Sequence, residues 1–346
     1  MLQEDVKMRK YLLPEGGNFY KANLHCHTDI SDGDLSPEEI KEAYKAHGYS
    51  IVAYTDHDVM IDHSDLADED FLPLLGYEME IIAPMPEDRN WQNTAHICLI
   101  ALDPENARQV CWHRGWYLFG NAPKYRDQVR FDPDEPNYIR SYTPECLTDM
   151  MQKGRDHGFF VTWNHPAWSM ETGRDYLDYY GMHAMEICNF SAYEAGHEDY
   201  VPMVYDEMLR GGRRIFCISA DDNHNRGENK YHDSFGGFTV IKAEKLDYHT
   251  VTEALMRGDF YASMGPEIHE LYVEDGYVHI KCSPVERIAL HTGIRTARQI
   301  WAKEGEMLTE ASFKLDDKFG YFRLTATDHR GRHANTNAYF MDELNN

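Results

Sequence analysis

The chain has no C-x-x-C pair, no glycine-rich phosphate loop, no apolar run near the roughly 18 residues of a membrane span, and few positive charges. Each shortage removes a class of protein. Seven cysteines, odd in number and scattered, point to reduced thiols and away from a disulfide frame. Thirty-four Lys and Arg against 59 Asp and Glu leave a formal net charge of −25, so the chain repels polyanions and lacks the basic face that long DNA or RNA needs. A small phosphate ester stays admissible, because bound cations can reverse the local field. Met1 to Lys10 is charged and carries no signal-peptide core, so we expect a soluble, cytoplasmic protein with no membrane partner. There is no Ser-His-Asp or Cys-His arrangement, and the doublet Gly236-Gly237 reads as the start of a strand.

What the chain does have is histidine beside carboxylate. Asn23-Leu24-His25-Cys26-His27-Thr28 is followed by Ser31-Asp32-Gly33 and then by Tyr54-Thr55-Asp56-His57-Asp58. On a strand, alternate residues share a face, so His25 and His27 point the same way. Further candidates accompany apolar runs: Glu78 after Phe71 to Leu75, His96 before Ile97 to Ala101, His165 after Phe159 to Trp163, and Asp222 with His224 after Ile215 to Ala220. Parallel-strand enzymes gather their chemistry where strands end. Six imidazoles and three carboxylates at such ends predict a divalent-metal site and metal-assisted hydrolysis.

These motifs, His25-x-His27, Ser31-Asp32-Gly33, Thr55-Asp56-His57-Asp58, Gly76-x-Glu78, His96, His165-Pro166 and Asp222-x-His224, resemble in type and order the polymerase and histidinol phosphatase (PHP) metallohydrolases. The resemblance covers about residues 17 to 265. Asp233 to Gly237 and Phe260 to Pro266 look most like a two-domain branch related to carbaryl hydrolase. The resemblance implies a distorted (β/α)7 barrel and two or three divalent ions, zinc, iron or manganese. It implies one ion on His25, His27, Glu78 and Asp222, a second on Glu78, His96 and His165, and a third on Asp32, His57 and His224. Many relatives carry His where Asp32 stands, and a carboxylate is the harder ligand, so the third site should either favour manganese or iron or bind its ion more weakly.

Asp222, His224 and His57 are the candidate catalytic residues. Arg226, Lys230 and His232, close behind His224, are candidates for gripping a substrate phosphate. Asp56, Asp58, Asn164, Asp221, Glu186 and Asn189 are candidates for orienting the ligands. Cys26, Cys98, Cys188 and Cys217 read as small core residues.

Length and 42% hydrophobic content favour two packed domains: residues 1–265 as the barrel and 266–346 as a small all-β, sandwich-like domain. Ser36-Pro37-Glu38-Glu39 is a capping box opening a helix that stops at Gly48, and Thr143-Pro144-Glu145 opens another that ends near Gly158. Strand, capped helix and strand predict parallel pairing. Residues 103–142 interrupt the rhythm with aromatics and prolines, read either as a self-packed excursion or as a lid bringing Arg114, Arg126 or Arg130 to an anion. Beyond Pro266, Asp275-Gly276 marks a hairpin, and His269, His279, His291, His329 and His333 share no ligand spacing. The expected activity is hydrolysis of a small phosphorylated metabolite or nucleotide. The alternatives are carbamate or ester hydrolysis, and a metal-stabilised binding module without catalysis.

Overall fold

The computed structural model describes residues 9–88 and 90–344; the charged N-terminal stretch read above lies mostly outside them. The chain opens with β1 (Lys10–Tyr11) and β2 (Asn18–Asn23), then the first helix, α1 (Pro37–Ala46). Ser36 Oγ accepts from Glu39 N while Glu39 Oε2 accepts from Ser36 N, and α1 buries Ile40 and Tyr44. The next strands are β3 (Ile51–Tyr54), β4 (Leu72–Ile82), β5 (Thr94–Ala101), β6 (Phe159–Asn164), β7 (Ala184–Asn189) and β8 (Phe216–Ala220). Between β5 and β6 runs α2 (Pro144–Asp156), capped by Thr143 Oγ1, which accepts from Cys146 N.

Pairing is parallel from β2 through β3 to β4 and again from β6 through β7 to β8. The expectation of parallel pairing fails at β5, which runs antiparallel to both neighbours. That reversal explains why His96 precedes its apolar run: the start of an antiparallel strand lies level with the ends of parallel ones. Glu78 also departs from the expected strand end, because β4 continues past it to Ile82 in a hairpin ladder with β5.

A closed barrel is not formed by backbone ladders among the described residues; the strand path ends at β8. Side chains bridge the seam instead. Thr239 Oγ1 accepts from Ser219 N and donates to Ser219 O, Asn23 Oδ1 accepts from Asp221 N, and past the strands Cys26 and Asn223 form an isolated parallel bridge. Just past β8, Asp222 takes a left-handed φ of 53°.

Beyond β8 the sheet continues on its other edge. β9 (Phe238–Ala243) pairs antiparallel with β2 and with β10 (Phe260–Ser263). The hairpin β11 (Ile268–Glu274) and β12 (Tyr277–Val285) turns at Asp275 and Gly276, whose φ values of 54° and 75° are those the Asp-Gly signal demands. Then come β13 (Arg287–Thr292), β14 (Arg298–Trp301), β15 (Leu308–Lys314), β16 (Tyr321–Thr327) and β17 (His333–Thr336). β1, β11, β12 and β15 make a four-stranded sheet, whereas β17, β16, β13 and β14 extend the main sheet from β10. Leu271, Val278, Ile280, Phe313, Phe322 and Leu324 share the core between them. Among the described residues, no helix is long and apolar enough to cross a membrane.

Candidate metal centre

His25 and His27 leave the end of β2, His57 follows β3, His165 follows β6, and Asp222 and His224 follow β8, while His96 stands near the start of β5. All converge on Glu78. Its Oε1 lies 3.1 Å from His25 Nε2, 3.2 Å from His96 Nδ1 and 3.5 Å from His165 Nε2. Its Oε2 lies 3.4 Å from His27 Nε2 and 3.3 Å from His57 Nδ1. Asp222 closes the opposite side, with Oδ1 3.2 Å from His25 Nε2 and 3.0 Å from His27 Nε2, and Oδ2 3.8 Å from His165 Nε2. Asp32 reaches His27 at 3.6 Å, His57 at 3.9 Å and His224 at 3.4 Å.

These spacings match a cation cage. An ion bound at about 2.0–2.1 Å holds tetrahedral ligand atoms about 3.3 Å apart, longer than a good hydrogen bond and shorter than unrelated packing. The atoms are also unsatisfied: His27 Nδ1, His57 Nδ1, both nitrogens of His96, Glu78 Oε2 and Asp222 Oδ1 are buried without a hydrogen-bond partner. Buried polar groups in folded proteins are paired, so this concentration of orphans calls for a ligand. Four sets bring their atoms within 4.8 Å: His27, Asp32, His57 and His224; His57, Glu78 and His96; His25, His165 and Asp222; and His25, Glu78 and Cys98. His27 therefore also faces the Asp32 group, and Cys98, read from sequence as filler, sits beneath the cluster, where its sulfur accepts from Asn164 Nδ2.

Charge follows geometry. Burial opposes protonation of His27 and His96, yet the nearby carboxylates of Asp222 and Glu78 push His27 up to about 10, and those of Glu78 and Glu80 push His96 up to about 10. His57, buried beside His27, is pushed well below its ordinary value. The carboxylates thus hold protons where cations would sit.

The surrounding groups fix these ligands. Glu186 Oε1 lies 2.8 Å from His25 Nδ1, and its Oε2 accepts from His165 N and from Asn189 Nδ2. Asn164 Nδ2 donates to Glu78 Oε1, and Asn189 Nδ2 to Asp222 Oδ2. Asp56 touches no imidazole; it accepts from the backbone and hydroxyls of Thr28 and Ser31 and so shapes the loop that carries Asp32. Asp58 pairs with buried Arg140, which also donates to Glu80 O and anchors β4 beyond Glu78. Asp221 accepts the backbone N–H groups of Phe235, Gly236 and Gly237 and the Tyr44 hydroxyl.

The cluster floors a cavity of about 320 Å³. Arg226 and His232 line it, and Lys230 does not. Arg226 pairs with Asp32 through its guanidinium, and its Nε donates to Asp32 O at 2.7 Å. None of the three arginines considered in the insertion reaches the cavity: Arg114 binds Asn137, Pro133 O and Glu135 O, and Arg126 donates to Arg114 O. The insertion sends an aromatic ring instead, Phe119, which lines the cavity together with Trp168; the aperiodic sequence around Phe119 carried no signal of this.

A two-domain protein from Bacteroides vulgatus, containing a predicted PHP-like metal-dependent phosphoesterase, aligns over 95% of this chain and 90% of its own at 16% identity and a TM-score of 0.45. An amidohydrolase from Chromobacterium violaceum aligns over 60% of this chain and 89% of its own at 18% identity and a TM-score of 0.40. In sequence, a 5'-3' exoribonuclease of Haemophilus influenzae is 34% identical over 93 residues, 26% of this chain; the chain spans about a third (32%) of that relative's length. The sequence pattern of the PHP domain matches residues 23–207, over half of the 346 and inclusive of every candidate ligand from His25 to His165, and the chain belongs to the PHP domain family.

Proposed function

We propose that this protein is a metal-dependent phosphoesterase acting on small phosphate esters, with two or three divalent ions shared among His25, His27, Asp32, His57, Glu78, His96, His165, Asp222 and His224. The observation that supports it best is Glu78, one buried carboxylate within 3.5 Å of five imidazoles, as a ligand bridging neighbouring cations requires. Divalent cations there supply a hydroxide nucleophile at neutral pH and offset the charge of the phosphate oxygens. The chain's own groups do the rest. Glu186, Asn164 and Asn189 hold imidazoles and carboxylates in register, and Arg226 and His232 stand at the cavity where a phosphate's outer oxygens would lie. Net negative charge and a cavity of about 320 Å³ favour a small substrate. A cytoplasmic site of action accords with seven unpaired cysteines.

The test is a panel of phosphate monoesters, diesters and aryl carbamates assayed with zinc, manganese and iron in turn. Phosphate release that needs metal and disappears in Glu78→Gln is expected. Hydrolysis of carbamates alone would replace this reading with carbonyl chemistry. Metal binding without turnover of any substrate would leave a binding module.

A further inference from the structure

The cavity over the cluster is lined by two unlike kinds of side chain. Its polar lining includes the candidate ligands, Arg226 and His232; its apolar lining is made of Phe119, Trp168, Ala192 and Ala195. The Phe119 ring centroid is 4.5 Å from that of His57, and the Trp168 ring stands edge-on to His96 and His165 at 5.4 and 5.0 Å. The two rings therefore flank different parts of the same cluster. Both keep open surface, 37% exposed for Phe119 and 39% for Trp168.

Their backbones are fixed. Trp168 N donates to the buried carboxylate of Asp199 at 2.7 Å. Beside Phe119, Asn121 N donates to Ser31 O at 2.7 Å and Asn121 Nδ2 to Asp29 O at 2.9 Å, which docks the insertion on the loop carrying Asp32. Gly120 permits that approach: its φ is +59°, and a Cβ there would come within 2.3 Å of Ser31 O. A rigid, partly exposed aromatic wall beside a charged site is what stacking of a flat ring uses, since every π face stacks whatever its substituents.

We propose that Phe119 and Trp168 are specificity residues that select phosphate esters bearing a flat aromatic group, an aryl ring or a nucleobase, over esters of similar size without one. This rests on the phosphoesterase reading above. The rings act on binding and position, with Arg226 taking the phosphate end.

Benzyl phosphate and cyclohexylmethyl phosphate both release a primary alcohol and fill similar volume, so their ratio isolates the flat ring. With the metal-loaded wild-type protein, kcat/KM should favour the benzyl ester by about five- to tenfold, carried by KM. Phe119→Leu and Trp168→Leu keep apolar bulk without a ring, and each should erase much of the ratio; Phe119→Tyr and Trp168→Phe should retain it. Melting temperatures of all four identify any variant that has lost its fold, and the wild-type ratio still decides the matter if the leucine pair fails, because a value near one overturns the proposal. A wild-type ratio within about twofold of one, or a ratio indifferent to all four substitutions, overturns the proposal. Calorimetry with benzylphosphonate and cyclohexylmethylphosphonate separates the two hypotheses. A binding preference without turnover of either ester sinks the phosphoesterase reading and keeps the aromatic walls, whereas turnover without preference does the reverse.

Discussion

Histidine plays opposite parts in the two ends of this molecule. Around Glu78, imidazoles outnumber hydrogen-bond partners, and several nitrogens are left bare in a buried pocket. In the C-terminal strands two half-buried imidazoles are settled by their neighbours. His279 Nδ1 is 2.7 Å from Ser312 Oγ and its ring stacks on Tyr272 at 4.8 Å; His333 stacks on Tyr200 at 4.2 Å with Nδ1 3.1 Å from Thr327 Oγ1. None of the five histidines beyond residue 266 joins a candidate cation group among the described residues. Residue type alone therefore says little. Unsatisfied nitrogen atoms facing shared carboxylates are what distinguish a ligand from a packing group.

The sharpest way to break this contrast is to remove the shared carboxylate. Glu78→Gln should lower hydrolysis by more than about a thousandfold, because a cluster of cations supplies several kcal/mol of transition-state stabilisation. Elemental analysis should show lost metal in that variant and unchanged metal in His279→Ala. Equal metal content in both would erase the distinction.

Next in size is a residue that touches no ion. Glu186→Gln removes the charge behind His25 and leaves the amide shape, and affinity for metal should fall about 10- to 100-fold in a chelator competition. Loss of stability without loss of affinity would make Glu186 a structural group only.

Acidity separates the two ends further. With His27 and His96 pushed up to about 10 in the metal-free protein, neutral solution leaves them protonated, and a cation must displace those protons. Affinity should therefore rise with pH, by about tenfold per unit for each proton released, between pH 6.5 and 7.5. A flat profile would mean that these imidazoles bind no cation.

At the other end the sign reverses. Burial pushes His333 down to about 4, so between the ordinary histidine value and 4 the unfolded chain holds the extra proton. Stability from this group is complete above about pH 6.5 and drains away as pH falls through 4. His333→Phe, which preserves the stack on Tyr200, should move the acid-unfolding midpoint down by about a few tenths of a pH unit. An upward shift would show that the Thr327 contact outweighs the titration.

Much of the centre was legible because ligand pairs sit at intervals the backbone makes meaningful. Capped helices at Ser36 and Thr143 and a hairpin at Asp275-Gly276 follow from local rules, whereas the strand expected to carry His25-x-His27 stops at Asn23 and the pair lies just beyond it. What stayed hidden was set by distant pairing. The antiparallel course of β5 and the mid-strand position of Glu78 depend on hairpin partners chosen outside the local pattern. Arg140 and Phe119 come from an aperiodic insertion whose docking is decided by Ser31 and Asp58. Sequence also placed Lys230 beside Arg226 and His232, but a loop does not turn every neighbour inward.

The stitched seam has a bearing on when this protein becomes competent. Asn23 Nδ2 donates to Asn223 Oδ1 across 200 residues of chain, and His27 N donates to Asn223 O in the same place. A ribosome must therefore release the chain through Asp222 before that carboxylate can face His25. The full set of candidate donors consequently comes together only once the chain through Asp222 has been made, and shorter copies present an incomplete set.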